Sequence, residues 1–145
     1  MAVTAHPLAT RTAEDVLANG GTAVDAAVAV QMVLNLVEPQ SSGIGGGAFM
    51  LYWDAVARRL YALDGRETAP AAADADYFRD ANGATLEWRE AMLGGRAVGI
   101  PGTLHLLHTA HDLFGEKSWA SLFEPAIALA TSGFTVSPRL AQSIA

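Results

Sequence analysis

The stretch 48-AFMLYWDAVARRLYALDG-65 decides the fold. Its first part, Ala48 to Trp53, is short, apolar and aromatic, the composition of a strand. An apolar run with no polar alternation points to a strand covered on both faces. Residues 54–58 make a turn, and Arg59-Leu60-Tyr61-Ala62-Leu63 returns as the antiparallel partner. The hairpin is entered through the loop 40-QSSGIGGG-47 and left through Asp64-Gly65-Arg66-Glu67-Thr68-Ala69-Pro70.

Ahead of the hairpin, residues 23–37 are apolar on nearly every side, which predicts a buried helix. Thr22 and Asp25 supply a capping-box start, with Asp in place of Glu. Pro39 disfavours helical backbone at Glu38 and ends it. An earlier helix is expected with Thr10 and Thr12 at its start, Glu14 and Asp15 in its first turn, and Asn19-Gly20-Gly21 at its end. Beyond the hairpin, Asp76-Tyr77-Phe78 reads as one helical turn and Asn82-Gly83 as a tight turn. Ala97 to Ile100 reads as a short strand. Leu104, Leu107, Ala110 and Phe114 mark an amphipathic helix ended by Gly115. Ser118 caps a following helix with Leu122, Phe123, Ile127 and Ala130 inside, and Pro125 kinks it or opens a second segment. Ser137-Pro138 starts a last helix. Helices grouped around an antiparallel pair give an α+β class. Two strands are a marginal sheet by themselves, so the hairpin needs further partners.

The chain has 145 residues, one domain by length or a piece of a larger one. Apolar residues make up 51%, with 29 alanines and 14 glycines in the sequence. Nine basic residues face fifteen acidic ones, with a single lysine, Lys117, so no basic patch exists for nucleic acid. The absence of cysteine excludes disulfides, thiolate catalysis and Cys-ligated zinc. The longest apolar stretch is broken by Asp25, Gln31 and Asn35 and is shorter than the ~20 residues of a membrane span. No signal-peptide pattern stands at Met1 to Pro7. Met1 runs straight into apparent structure and Ala145 falls inside a helical pattern, so the chain reads as a fragment.

Four groups of residues carry chemistry on paper. The glycines of 43–47 let a backbone approach closely and offer N–H groups to an anion. They follow a helix and enter a strand, the reverse of a dinucleotide site, so a structural turn is the plainer reading. Arg66 leaves the second strand on a rigid support and has a planar fork that fits a carboxylate. A local ion pair with Asp64 or Glu67 is its alternative. His105, His108 and His111, with Asp112, share a helical face; a solvated surface is the plainer reading than a metal site. His6 has no partner in the sequence. Ser41-Ser42 lies beside the glycines, but no GxSxG or SxxK pattern is present.

The segments AHPLAT (5–10), NGGTAVDAAVA (19–29), VEPQSSGIGGGAFMLYWD (37–54), ALDGRETAP (62–70), AVGIPGT (97–103) and EPAIALATSGFTVSPRLA (124–141) closely resemble the gamma-glutamyltranspeptidase, or glutathione hydrolase, family. They cover essentially the whole chain in order and register. The resemblance implies an αββα sandwich of the N-terminal-nucleophile hydrolase type, incomplete here. It places residues 1–145 in the N-terminal part of the large subunit of a self-cleaving precursor. The small subunit, whose new N-terminal threonine is the nucleophile, lies outside the chain and is its implied partner. The implied reaction passes a gamma-glutamyl group from a glutathione-like amide to water, an amino acid or a peptide, without metal or cofactor.

Within this family Arg66 matches the arginine that grips the glutamyl α-carboxylate, with Glu67 and Asp64 as its supports. The 43–47 glycines look like a packing turn beneath the site. The family implies a periplasmic or secreted location. For the fragment itself two other readings stand: an inactive structural module that self-associates, and a small anion-binding module built on Gly43 to Gly47.

Overall fold

The computed structural model describes residues 1–144. Helix α2, Ala23–Val37, follows its sequence closely. The Thr22 hydroxyl accepts from the Asp25 amide, and the Asp25 carboxylate accepts from the Thr22 amide at 2.8 Å, closing the expected capping box. Val24, Ala26, Val28, Ala29, Met32, Val33 and Val37 are all buried, as an all-round apolar helix requires.

Asp25 does more than cap. It is fully buried, and its carboxylate also accepts from the amides of Glu116 and Lys117 at 3.1–3.3 Å. His111 Nε2 stands 3.7 Å from the same carboxylate and 2.8 Å from the Lys117 carbonyl. Burial pushes the Asp25 pKa up, but the hydrogen bonds from Thr22, Glu116 and Lys117 outweigh it and hold the carboxyl below its ordinary value. A carboxylate in α2 thereby ties down a loop ninety residues later.

Helix α1, Pro7–Ala18, begins earlier than the threonines suggested. His6 is its N-cap: Nδ1 accepts from the Leu8 amide at 3.2 Å, and Pro7 fills the first helical position. Glu14 and Asp15 therefore sit in the helix body rather than its first turn. The Thr12 hydroxyl donates to the Leu8 carbonyl at 3.0 Å.

The chain divides into two compact units. The helical unit comprises Met1–Ile44 and the chain from Leu104 on. Besides α1 and α2 it holds α4, Thr103–Phe114, the 3-10 turn Trp119–Phe123, α5, Glu124–Ser132, and α6, Pro138–Ile144. Helix α3, Trp88–Met92, belongs to the second unit. In the helical core, Ala9, Val33 and Val37 pack with Leu8, Val30, Leu34, Leu36, Ala126, Leu129 and Phe134. Pro125 opens α5 instead of kinking a longer helix. That shift changes the inward face. Ile127 is 60% exposed and Ala130 is exposed, while Ala126 and Leu129 turn to the core. Likewise Leu104 lies outside and Leu106, Leu107 and Ala110 are buried in α4. The Ser137 hydroxyl accepts from the Leu140 amide at 3.1 Å, the expected cap of α6. Ala145, where the last helix was expected to continue, lies outside the described residues.

The second unit, Gly45–Thr103, is built on the hairpin. Strands β1, Ala48–Asp54, and β2, Arg59–Gly65, pair antiparallel in the register Ala48 with Gly65 through Asp54 with Arg59. The Asp54 carboxylate accepts from the Val56 and Ala57 amides at 2.9 Å, and Arg58 takes a positive φ of 52°, so the turn closes in four residues. Tyr52 faces Tyr61 across the pair, their rings 6.4 Å apart.

The class is α+β with a two-stranded antiparallel sheet, as expected. The expectation of two covered faces is not met. Phe49, Leu51, Trp53 and Leu60 are each more than half exposed, while Ala48, Met50 and Tyr52 on the other face are half-buried. Burial alternates along β1, so among the described residues only one face of the hairpin is partly covered. The stretch 97–100 is also no strand. Gly95–Ala97 is a 3-10 turn, and only Ile100 bridges, to Thr68. Asp76-Tyr77-Phe78 forms a turn, not a helix. A short helix, α3, Trp88–Met92, has no side-chain cap and no pattern that announced it.

Candidate functional site

Arg66 is the first residue beyond β2. The Asp64 carboxylate accepts from its amide at 2.9 Å, an Asx-type turn that swings the chain out of the strand. The guanidinium is 59% exposed. Its Nη1 stands 2.9 Å from Glu67 Oε2, an ion pair by distance with no aligned hydrogen bond. Glu67 Oε2 is buried, so one charge of the pair is fixed while the other reaches solvent. Both carboxylates anticipated around Arg66 are beside it. Glu67 touches the guanidinium, and Asp64 holds the main chain.

Two backbone segments press on this turn. From one side come Gly46 and Gly47. A Cβ on Gly47 would lie 2.5 Å from Glu67 Oε2 and 2.8 Å from Arg66 Cα, closer than real side chains approach. From the other side come Gly99 to Thr103. A Cβ on Gly102 would collide with the Gly65 carbonyl oxygen and stand 3.0 Å from the Arg66 carbonyl. The two segments are bonded to each other. The Gly46 carbonyl accepts from the Gly102 amide at 3.0 Å, the Thr103 amide at 3.1 Å and the Thr103 hydroxyl at 2.9 Å. Ile100 donates to the Thr68 carbonyl at 2.9 Å. Thr103 is buried. Nothing local in the sequence ties Gly102 and Thr103 to this turn, since the Thr103–Gly46 contact spans 57 residues.

The Glu67 carboxylate already lies against Gly46 and Gly47, so a bound anion there would meet like charge. The serines beside the glycines are engaged elsewhere: Gln31 Nε2 donates to Ser42 Oγ and Arg139 Nη2 to Ser41 Oγ, each at 2.9 Å. The three α4 histidines do not converge. His108 pairs with Asp112 at 3.1 Å, His111 turns to Asp25 and Lys117, and Trp119 makes T-shaped contacts with both rings. Among the described residues no group of three or more His, Asp or Glu side chains is placed to hold a metal. No helix among them is long and apolar enough to cross a membrane.

Comparison with known proteins gives one consistent picture. Residues 9–145 match the family model described as gamma-glutamyltranspeptidase. The glutathione hydrolase proenzyme of Bacillus subtilis strain 168 is 47% identical over 144 residues, 99% of this chain and 24% of the relative. A glutathione hydrolase proenzyme of Pseudomonas aeruginosa is 42% identical over 130 residues, 89% of this chain and 23% of the relative. Among solved structures, the Helicobacter pylori gamma-glutamyltranspeptidase superposes with a TM-score of 0.91 at 37% identity, over 99% of this chain and 40% of that one. The chain spans about a quarter of the length of the curated relatives it matches.

Proposed function

Since this chain belongs to the gamma-glutamyltranspeptidase family, we propose that the full-length protein cleaves gamma-glutamyl amides such as glutathione, with Arg66 binding the α-carboxylate of the glutamyl group. The observation that carries this is the Arg66 turn itself: a guanidinium open to solvent, beside a fixed carboxylate, at the end of a strand. The reacting carbonyl of such a substrate is at the side-chain end. Anchoring the α-carboxylate at the other end places that carbonyl, and a bidentate arginine sets both position and orientation. Glu67 holds the guanidinium, and Asp64 holds the backbone that carries it.

The nucleophile in this reading is the N-terminal threonine of a small subunit cut from the same precursor, outside these residues, with its own α-amine as base. The glutamyl group then passes to water, an amino acid or a peptide. The hairpin contributes two strands to an αββα sandwich, of which residues 1–145 are the N-terminal segment of the large subunit. The exposed row Phe49, Leu51, Trp53 and Leu60 is consistent with a sheet face that the rest of the sandwich covers.

A chromogenic gamma-glutamyl anilide tests the activity. The full-length protein should release the aniline, and residues 1–145 alone should not. Turnover by the short chain would move the nucleophile into these residues. The same exposed row means that residues 1–145 alone should self-associate, and a sharp monomer in ultracentrifugation would contradict that.

A further inference from the structure

We propose that Gly47, Gly102 and Thr103 are positioning residues for Arg66, setting where its guanidinium meets the substrate carboxylate. The inference rests on the substrate role of Arg66 given above. Three backbone segments lie side by side here: 45–47, 65–68 and 99–103. The outer two are locked together by the Gly46 carbonyl, which takes three donors, two of them from Thr103. The middle one carries Arg66. Gly47 meets its Cα and Gly102 its carbonyl, so the main chain of Arg66 is gripped at two points. The contact works only without side chains. An alanine Cβ at Gly47 would stand 2.8 Å from Arg66 Cα and reaches the ordinary contact distance of 3.4 Å only when the two separate by about 0.6 Å (3.4 − 2.8). A shift of that size in the backbone changes where the guanidinium sits unless the side chain re-adjusts.

An anchoring arginine is sensitive to this. Misplacing a bound substrate by about 1 Å costs up to ~100-fold in rate or binding. The Thr103 hydroxyl is the adjustable member of the set. It is buried, it donates to Gly46 at 2.9 Å, and valine has nearly the same shape but lacks that donor.

The test uses the full-length protein and a gamma-glutamyl anilide. Gly47→Ala should raise KM about 10- to 100-fold with kcat nearly unchanged. In an Arg66→Ala background the same substitution should add almost nothing, because no guanidinium is left to misplace. Thr103→Val should raise KM roughly fivefold, and Thr103→Ser should restore it. Where Gly47→Ala fails to fold, the Thr103 pair decides alone.

Equal fold-changes from Gly47→Ala in both backgrounds would overturn the proposal. So would a wild-type KM in a folded Thr103→Val protein. If Arg66→Ala raises KM while these variants are silent, only the positioning role is lost. If Arg66→Ala itself keeps the wild-type KM, the substrate assignment falls and this inference falls with it.

Discussion

Arg66→Ala in the full-length protein is expected to raise KM for gamma-glutamyl substrates by roughly 100-fold, equivalent to about 3 kcal/mol. The guanidinium is the charged partner that this chain offers to the substrate α-carboxylate. Losing it leaves that carboxylate unpaired in the bound state. The carboxylate is remote from the reacting carbonyl and has the same charge in ground and transition states. Its anchoring is therefore uniform binding, and the loss should fall mainly on KM rather than kcat. Arg66→Lys should recover only part of it, since an ammonium keeps the charge but not the two-pronged geometry. Steady-state kinetics on the three proteins separate these outcomes, and unchanged kinetics in Arg66→Ala would sink the assignment.

Asp25→Ala is expected to lower stability by about 3 kcal/mol, the largest effect on folding from any one residue discussed here. The carboxylate is fully buried and accepts from the amides of Thr22, Glu116 and Lys117. Alanine leaves those donors without their charged acceptor. Asp25→Asn keeps the shape but turns an NH2 toward donors, so it should cost nearly as much. The pH dependence follows from the lowered pKa. The unfolded chain protonates near the ordinary value of 3.8, and the folded one only at lower pH. Stabilisation by the charge is thus complete above the unfolded value and is lost as pH falls through the folded one. Acid unfolding of the wild type should carry this component, and Asp25→Asn should lack it. A thermal midpoint in Asp25→Asn equal to wild type would refute the tether.

What the sequence revealed and what it hid follow from the range of the interactions. Helix α2 was legible because its cap, apolar surface and proline stop lie within eighteen residues. The hairpin was legible for the same reason, and so was the place of Arg66 just beyond it. The His6 cap was missed although His6-Pro7 has the same cap-then-proline layout as Ser137-Pro138. Histidine is an uncommon cap, and the threonines nearby competed for the part. Covered faces were inferred for β1 from apolar composition alone, but cover is supplied by neighbours and not by the strand. The second function of Asp25, binding Glu116 and Lys117, spans more than ninety residues and has no local sign. The grip of Gly102 and Thr103 on the Arg66 turn is hidden likewise. The glycines of 43–47 were recognised as a packing device, but not what they pack.

The most direct test pairs the substitution with the matching change in substrate. Gamma-glutamyl anilide and its 4-aminobutyryl counterpart differ only in the α-carboxylate. If Arg66 binds that carboxylate, Arg66→Ala should cut kcat/KM about 100-fold on the first and leave the second nearly unchanged. An equal loss on both substrates would contradict the central claim.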